Sequence, residues 1–267
     1  MGSDARPIGV FDSGVGGLTV LHEIQRQLPN ESTIYLGDYA RCPYGPRPPR
    51  QVRQFAFEVL RFFIERNVKL VVIACNTSTA AALDDLRRAF PLPIVGVIRP
   101  GAEAGTLASR NRRIGVMATA GTVKSRGYFR HIKDLNPAAE VWEQACPTLV
   151  ELVEAGQAAA PETRQAVAGY LQPLLSHGID TLILGCTHYP LLRECIEELA
   201  GPAVMVVDSA ITTAAATRLI VEVNRLENGS QPATHELCST SPSETFRAIA
   251  ERMFGAELPE IQQVSLT

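Results

Sequence analysis

Three strand-and-turn units in this chain recur in the same order at nearly constant spacing. "IGVFDSGVGG" begins at Ile8 and "IGVMATAGTV" at Ile114, 106 positions on. "VVIACNTS" and "LILGCTHY" place Cys75 and Cys186 111 positions apart. "PIVGVIRPGA" from Pro93 and "AVMVVDSAIT" from Ala203 are offset by 110. Shared order at a shared offset points to two similarly built halves. A chain of 267 residues has room for both, each with its own core.

Within the halves, short apolar runs alternate with amphipathic stretches. Ile8–Phe11, Thr33–Leu36, Lys69–Ala74 and Ile94–Val97 read as strands. Val52, Phe55, Ala56, Val59 and Phe63 fall at helical spacing between Arg50 and Arg66, just after Pro48-Pro49. This alternation predicts α/β architecture: two similar three-layer domains with mainly parallel sheets, related by pseudo-symmetry, which share a cleft if the halves face each other. Residues 99–208 form the second domain in this reading. The tail after Asp208 has no counterpart in the repeat and is assigned to the first, giving 1–98 plus 209–267. In that tail a helix runs to about Leu226, "HELCSTS" reads as a strand, and "SPSETFRAIAERMFG" reads as a helix. Ser241 is its expected N-cap, Pro242 its first residue, Glu244 the end of a capping box and Gly255 its stop.

Composition removes several classes. The formal net charge of −3 gives no global field to attract nucleic acid or an anionic membrane. The amino end lacks the basic head and apolar stretch of a secretory signal, and position 6 is Arg where a myristoylation signal at Gly2 wants Ser or Thr. No apolar run approaches the ~20 residues that span a bilayer. A cytoplasmic protein is expected. Its six cysteines include no C-x-x-C pair, so a disulfide framework is not expected.

Ligands of open parallel sheets bind beyond the carboxyl ends of the strands. Those ends are polar here: Asp12-Ser13, the "GDYARCPYG" loop, Cys75-Asn76-Thr77, Thr119 with Thr122, Cys186-Thr187-His188 and Asp208-Ser209. The repeat makes Cys75 and Cys186 equivalent, each ending a central strand and preceding a helix. A helix N-terminus favours the thiolate and would bring a thiol of reference pKa ~8.5 toward neutrality. Two thiols facing one carbon suit a reaction in which one removes a proton and the other returns it to the opposite face. Asp12 and His188 are placed to orient a substrate ammonium or relay protons beside each thiol. Ser13, Asn76, Thr77 and Thr187 offer donors for carboxylates.

Other readings compete. Cys186 and His188 lack the partner spacing of a zinc site, so no metal is expected. "DSGVGG" with Asp38 approximates a dinucleotide turn but spells G-x-G-G, and Asp12 would repel a pyrophosphate. The alternative is a tight strand-to-helix turn. A cysteine hydrolase would need only one thiol. Cys42, Cys146, Cys195 and Cys238 are assigned to packing, with Cys146 also a candidate to line the cleft. The loop from Cys42 to Pro49 is either a surface connection or a lid that brings Tyr44 and Gly45 to ligand. Asp208-Ser209 is explained by a helix cap. Glu151 and Glu154 lie on a short helix, and their spacing alone gives neither a role.

"GVFDSGVGGLTV", "YLGDYARCPYG", "VVIACNTSTAAAL", "IVGVIRPGA", "GVMATAGTVKS" and "LILGCTHYPLL" together resemble the glutamate racemase family, in the same order, from about Ile8 to Ser209. The resemblance implies a cofactor-independent isomerase that interconverts L- and D-glutamate for bacterial peptidoglycan synthesis. It implies Cys75 as the base acting on the D-isomer and Cys186 as the base acting on the L-isomer. Asp12, Ser13, Tyr44, Gly45, Asn76, Thr77, Thr187 and His188 become substrate contacts, with Asp12 and His188 also assisting proton transfer. Glu154 matches an acidic position implicated in the family, although Glu151 stands where members often carry proline. Family members often dimerise, so a homodimer is expected. The chain has only three lysines, Lys69, Lys124 and Lys133, and none falls in a motif, in keeping with chemistry free of a pyridoxal cofactor.

Overall fold

A computed structural model describes residues 4–229, 231–255 and 258–266. Among the described residues lie ten strands: β1 (Ile8–Asp12), β2 (Thr33–Gly37), β3 (Leu70–Ile73), β4 (Ile94–Gly96), β5 (Arg113–Ala118), β6 (Glu140–Ala145), β7 (Thr181–Gly185), β8 (Met205–Asp208), β9 (His235–Ser239) and β10 (Ile261–Gln263). They form two sheets, ordered β10-β9-β2-β1-β3-β4 and β6-β5-β7-β8, and every pairing is parallel. The second sheet repeats the β2-β1-β3-β4 portion of the first, strand for strand. The sequence repeat is thus a repeat of topology: β1 matches β5, β3 matches β7 and β4 matches β8. The tail adds β9 and β10 at the outer edge of β2.

Both faces of each sheet are buried, as parallel sheets require. Ile8, Val10, Leu70 and Val72 point to one side, against helices Leu18–Gln27, Ala210–Val223 and Glu244–Phe254. Phe11, Val71 and Ile73 point to the other, against helices Pro49–Glu65 and Asn76–Ala89. In the second sheet Leu182 and Leu184 oppose Ile183 in the same way. Helix Pro49–Glu65 buries Val52, Phe55, Ala56, Val59, Leu60 and Phe63, the stripe expected from spacing, and begins on its proline.

Two local expectations need correction. The N-cap of the last helix is Ser243, whose Oγ accepts from Phe246 N–H at 3.1 Å, and the helix begins at Glu244. Ser241 is taken by a turn: its carbonyl accepts from Ser239 Oγ at 2.6 Å. Gly255 does end the helix, at φ +59°. Cys186 is followed not by a full helix but by a 3-10 turn, Tyr189–Leu192, before helix Arg193–Ala200. Among the described residues no helix is long and apolar enough to cross a membrane.

Candidate active site

β1 ends on Asp12, β3 and β7 deliver Cys75 and Cys186 just beyond their carboxyl ends, and all three side chains are buried. Cys75 is the N-cap of helix Asn76–Ala89, and its Sγ accepts from Ser78 N–H at 3.4 Å. The thiol also lies 3.9 Å from Ser13 Oγ. Charge on Cys186 adds a smaller upward push to the Cys75 thiol.

The expected activation of Cys75 is reversed. Burial and the Asp12 carboxylate push the thiol up to about 12, against the opposing Ser78 N–H. Desolvation and the Asp12 charge outweigh the helix terminus here. Cys186 has a different neighbour: His188 Nδ1 lies 3.8 Å from its Sγ. Burial works against a charged His188, but its bonds to Cys186 and Glu154 raise it well above the usual histidine value.

Glu154 carries far more of the site than its sequence context indicated. Its Oε1 lies 2.5 Å from His188 Nε2, and the carboxylate accepts from Val15 N–H at 3.3 Å, from the Tyr39 hydroxyl and from the Cys42 thiol at 3.7 Å. Burial opposes its ionisation, but the His188 and Tyr39 bonds hold it below the usual carboxylate range. Val15, Tyr39 and Cys42 come from the first sheet's half, whereas Glu154 and His188 come from the second. Glu151 on the same short helix is exposed.

Asp12 is the reciprocal link. Its Oδ1 accepts from the Thr187 hydroxyl at 3.2 Å, and its Oδ2 accepts from Gly14 and Gly17 N–H, each at 3.2 Å. Burial raises its pKa despite the nearby His188. These bonds dispose of the dinucleotide reading. The glycine-turn amides serve Asp12, and an ideal Cβ on Gly16 would sit 2.6 Å from Thr187 C and 2.7 Å from His188 N. Glycine is needed there so that the halves can meet. Asp38 is also committed: it is fully buried and accepts from Arg41 Nε at 2.6 Å, from Thr240 Oγ1 at 3.0 Å and from the Tyr44 hydroxyl.

The hydroxyl-bearing positions converge. Thr77 and Thr119 Oγ1 share a bond of 2.9 Å across the halves, and Thr119 shares one of 3.0 Å with Thr122. Gly45 packs on Thr119, leaving 3.1 Å between an ideal Cβ and the threonine Cβ. Tyr44 is buried with its hydroxyl on Asp38, so its ring walls the site while its polar end faces away. Asn76 Oδ1 accepts from Tyr128 OH at 2.8 Å, while its buried Nδ2 has no partner among the described residues. That leaves an amide donor beside Cys75 for a ligand.

Sequence reasoning missed Tyr39, Val15 and Tyr128, and it assigned Cys42 to packing. The quoted "GDYARCPYG" loop held two of them, but only the fold brings them to Glu154. All six cysteines are free thiols. Cys146 and Cys238 are buried, and Cys195 packs against the second core. Lys69 lies at the amino end of β3, opposite Cys75, buried against Glu31 and donating to the Asp4 and Leu226 carbonyls at 2.7 Å. A groove of about 850 Å³ between helices Asn76–Ala89, Ile98–Ala108 and Ala210–Val223 is lined by none of the site residues.

The Asp/Glu/Hydantoin racemase family model matches residues 8–219. A glutamate racemase of Enterococcus faecalis is 45% identical over 99% of this chain and 97% of its own length. A crystal structure of a glutamate racemase isoform from Bacillus anthracis superposes with a TM-score of 0.93 at 41% identity, over 98% of each chain. One of a Francisella tularensis glutamate racemase, in complex with D-glutamate, gives 0.90 at 34% identity, also over 98% of each.

Proposed function

This chain belongs to the Asp/Glu/Hydantoin racemase family and is an isomerase, and we propose that it interconverts L- and D-glutamate by two-base proton transfer between Cys75 and Cys186. The observation that carries the reading is the pair of buried thiols at equivalent strand ends, with His188 beside Cys186 and the Asp12 carboxylate acting on Cys75. Names of relatives aligned over nearly the whole chain support glutamate as substrate.

With L-glutamate bound, Cys186 takes the α-proton as thiolate, and Cys75 delivers its thiol proton to the opposite face. The product is D-glutamate, and the two sulfurs have exchanged protonation states. The reverse reaction starts from the Cys75 thiolate. The elevated Cys75 pKa suits its role as proton donor toward L-glutamate. A substrate ammonium beside Asp12 would bring that thiol down for the reverse direction. His188, raised by its bonds to Cys186 and Glu154, faces the Cys186 sulfur and would stabilise negative charge there. Ser13, Asn76, Thr77, Thr119, Thr122 and Thr187 hold the carboxylates, with Tyr44 and Gly45 closing the wall. Because the site is buried, substrate enters when the two halves part along the Asp12–Thr187 and Glu154–Tyr39 links.

The chemistry asks for no pyridoxal or metal, since both proton carriers are side chains. D-glutamate made in the cytoplasm would supply peptidoglycan synthesis and so cell shape. A homodimer is part of the proposal: Leu107 and Val223 stand 87% and 70% exposed on two packed helices. The test is incubation of the purified, chelator-treated protein with L-glutamate in heavy water. D-glutamate deuterated at the α-carbon is expected without added cofactor. Activity that returns only on adding pyridoxal phosphate would contradict the reading.

A further inference from the structure

Cys42, Glu154 and His188 are 112 and 34 positions apart pairwise along the chain, yet one ligand atom of each lies within 4.8 Å of the others, with Glu154 Oε1 standing between Cys42 Sγ and His188 Nε2 as the contact to both. We propose that these three atoms form an inhibitory site for a borderline-soft divalent cation, with zinc as the ion that the donors fit best. Thiolate, imidazole and carboxylate are the zinc donor types, and three protein ligands leave a fourth position for water. Around a tetrahedral zinc ion such donors stand roughly 3.3–3.6 Å apart. Cys42 Sγ and Glu154 Oε1 already stand at 3.7 Å. The His188–Glu154 pair, at 2.5 Å, opens as the ion replaces the proton between them.

The surroundings complete the site. A ligating carboxylate and imidazole are oriented by bonds to their remaining atoms. Here Glu154 Oε2 accepts from the Tyr39 hydroxyl, and His188 Nδ1 faces Cys186 Sγ. Cys42 and Glu154 are only partly buried, so the trio is reached from the loop side. Binding releases the Cys42 thiol proton and the proton shared by His188 and Glu154. Cys42 has no part in the proposed proton transfer, and the ion gives it one. Loading ties the first half to the second through a thiolate and removes the Glu154 bond on which His188 depends. The inhibitory consequence rests on the two-base reading, whereas the binding itself does not.

The test is titration of the reduced, metal-free protein with cobalt(II), whose thiolate complexes show a charge-transfer absorption, followed by competition with zinc. Wild type is expected to bind one ion with that absorption, and zinc to abolish it. Cys42→Ser should lose the absorption and weaken zinc binding by at least about tenfold. Cys75→Ser and Cys186→Ser should keep both. In racemisation assays, Cys42→Ser should need at least about tenfold more zinc for half-inhibition relative to its own metal-free rate. Absorption retained in Cys42→Ser, lost in Cys75→Ser or Cys186→Ser, or absent from wild type overturns the proposal. Because the absorption is read without turnover, failure of the racemase reading would leave this result interpretable.

Discussion

Glu154 Oε1 stands 2.5 Å from His188 Nε2, and the other oxygen of the same carboxylate takes the Tyr39 hydroxyl from the opposite half of the molecule. One carboxylate therefore helps Cys186 to raise the imidazole's pKa and joins the two sheets. Chemistry and closure share a part.

Replacing Glu154 by Gln should lower the His188 pKa and reduce kcat/KM by roughly 100-fold or more, the usual scale for a lost acid–base partner. Stability gives a second readout. His188 is raised, so its share of stability is complete below 6.5 and is lost as pH climbs through the folded value. Glu154 is lowered, so its share is complete above 4.5 and is lost as pH falls through its folded value. The difference in Tm between wild type and Glu154→Gln should therefore be greatest between these limits and shrink on both sides. A difference flat with pH would count against the pairing.

Cys75 should resist alkylation in the ligand-free protein at mildly alkaline pH, since burial and Asp12 push its thiol up to about 12. Asp12→Asn removes the carboxylate and should speed iodoacetamide labelling of Cys75, followed by peptide mass spectrometry. Unchanged or slower labelling would show that Asp12 does not set this thiol.

Thr119→Val severs the hydroxyl chain between Thr77 and Thr122. At ~0.5–1.5 kcal/mol for an ordinary hydrogen bond, KM for glutamate should rise roughly two- to tenfold. A smaller change in kcat marks a contact used equally in ground and transition states. Loss confined to kcat would move Thr119 from holding substrate to the proton transfer itself.

Gly16 and Gly169 make a contrasting pair. Gly16→Ala pushes a methyl group into the Thr187 and His188 backbone, which cannot yield as a side chain tip does. Activity should fall at least about tenfold while far-UV circular dichroism is kept, because a sub-ångström misplacement of His188 is costly. Gly169 lies exposed within helix Pro161–Ser176, with nothing within 4 Å of an added Cβ. Gly169→Ala should raise stability by about 0.5–1 kcal/mol in urea melts and leave turnover unchanged.

The parts legible in the sequence were those written as periodicity or local order. The β1/β5, β3/β7 and β4/β8 matches emerged as the same strand positions in two sheets, because buried parallel strands must be continuously apolar. Cys75 and Cys186 were legible because each ends such a run. What stayed hidden depends on contacts between halves. Glu154 sits on a six-residue helix whose neighbour Glu151 is exposed, and no local signal separates the two. Cys42 and Tyr39 reach Glu154 only when the second half closes on the first. The Cys75 pKa went the opposite way from expectation because sequence reveals a helix start but not how completely the thiol is desolvated. Ser241 and Ser243 are both good caps by type, and the turn at the end of β9 decided between them.

The two-thiol account is tested most directly by following α-hydrogen exchange and racemisation of each glutamate enantiomer in heavy water with Cys75→Ser and Cys186→Ser. Both variants should keep the fold by circular dichroism and lose interconversion of the enantiomers. Wild-type-like racemisation by either variant would contradict the assignment of the two sulfurs as the paired bases.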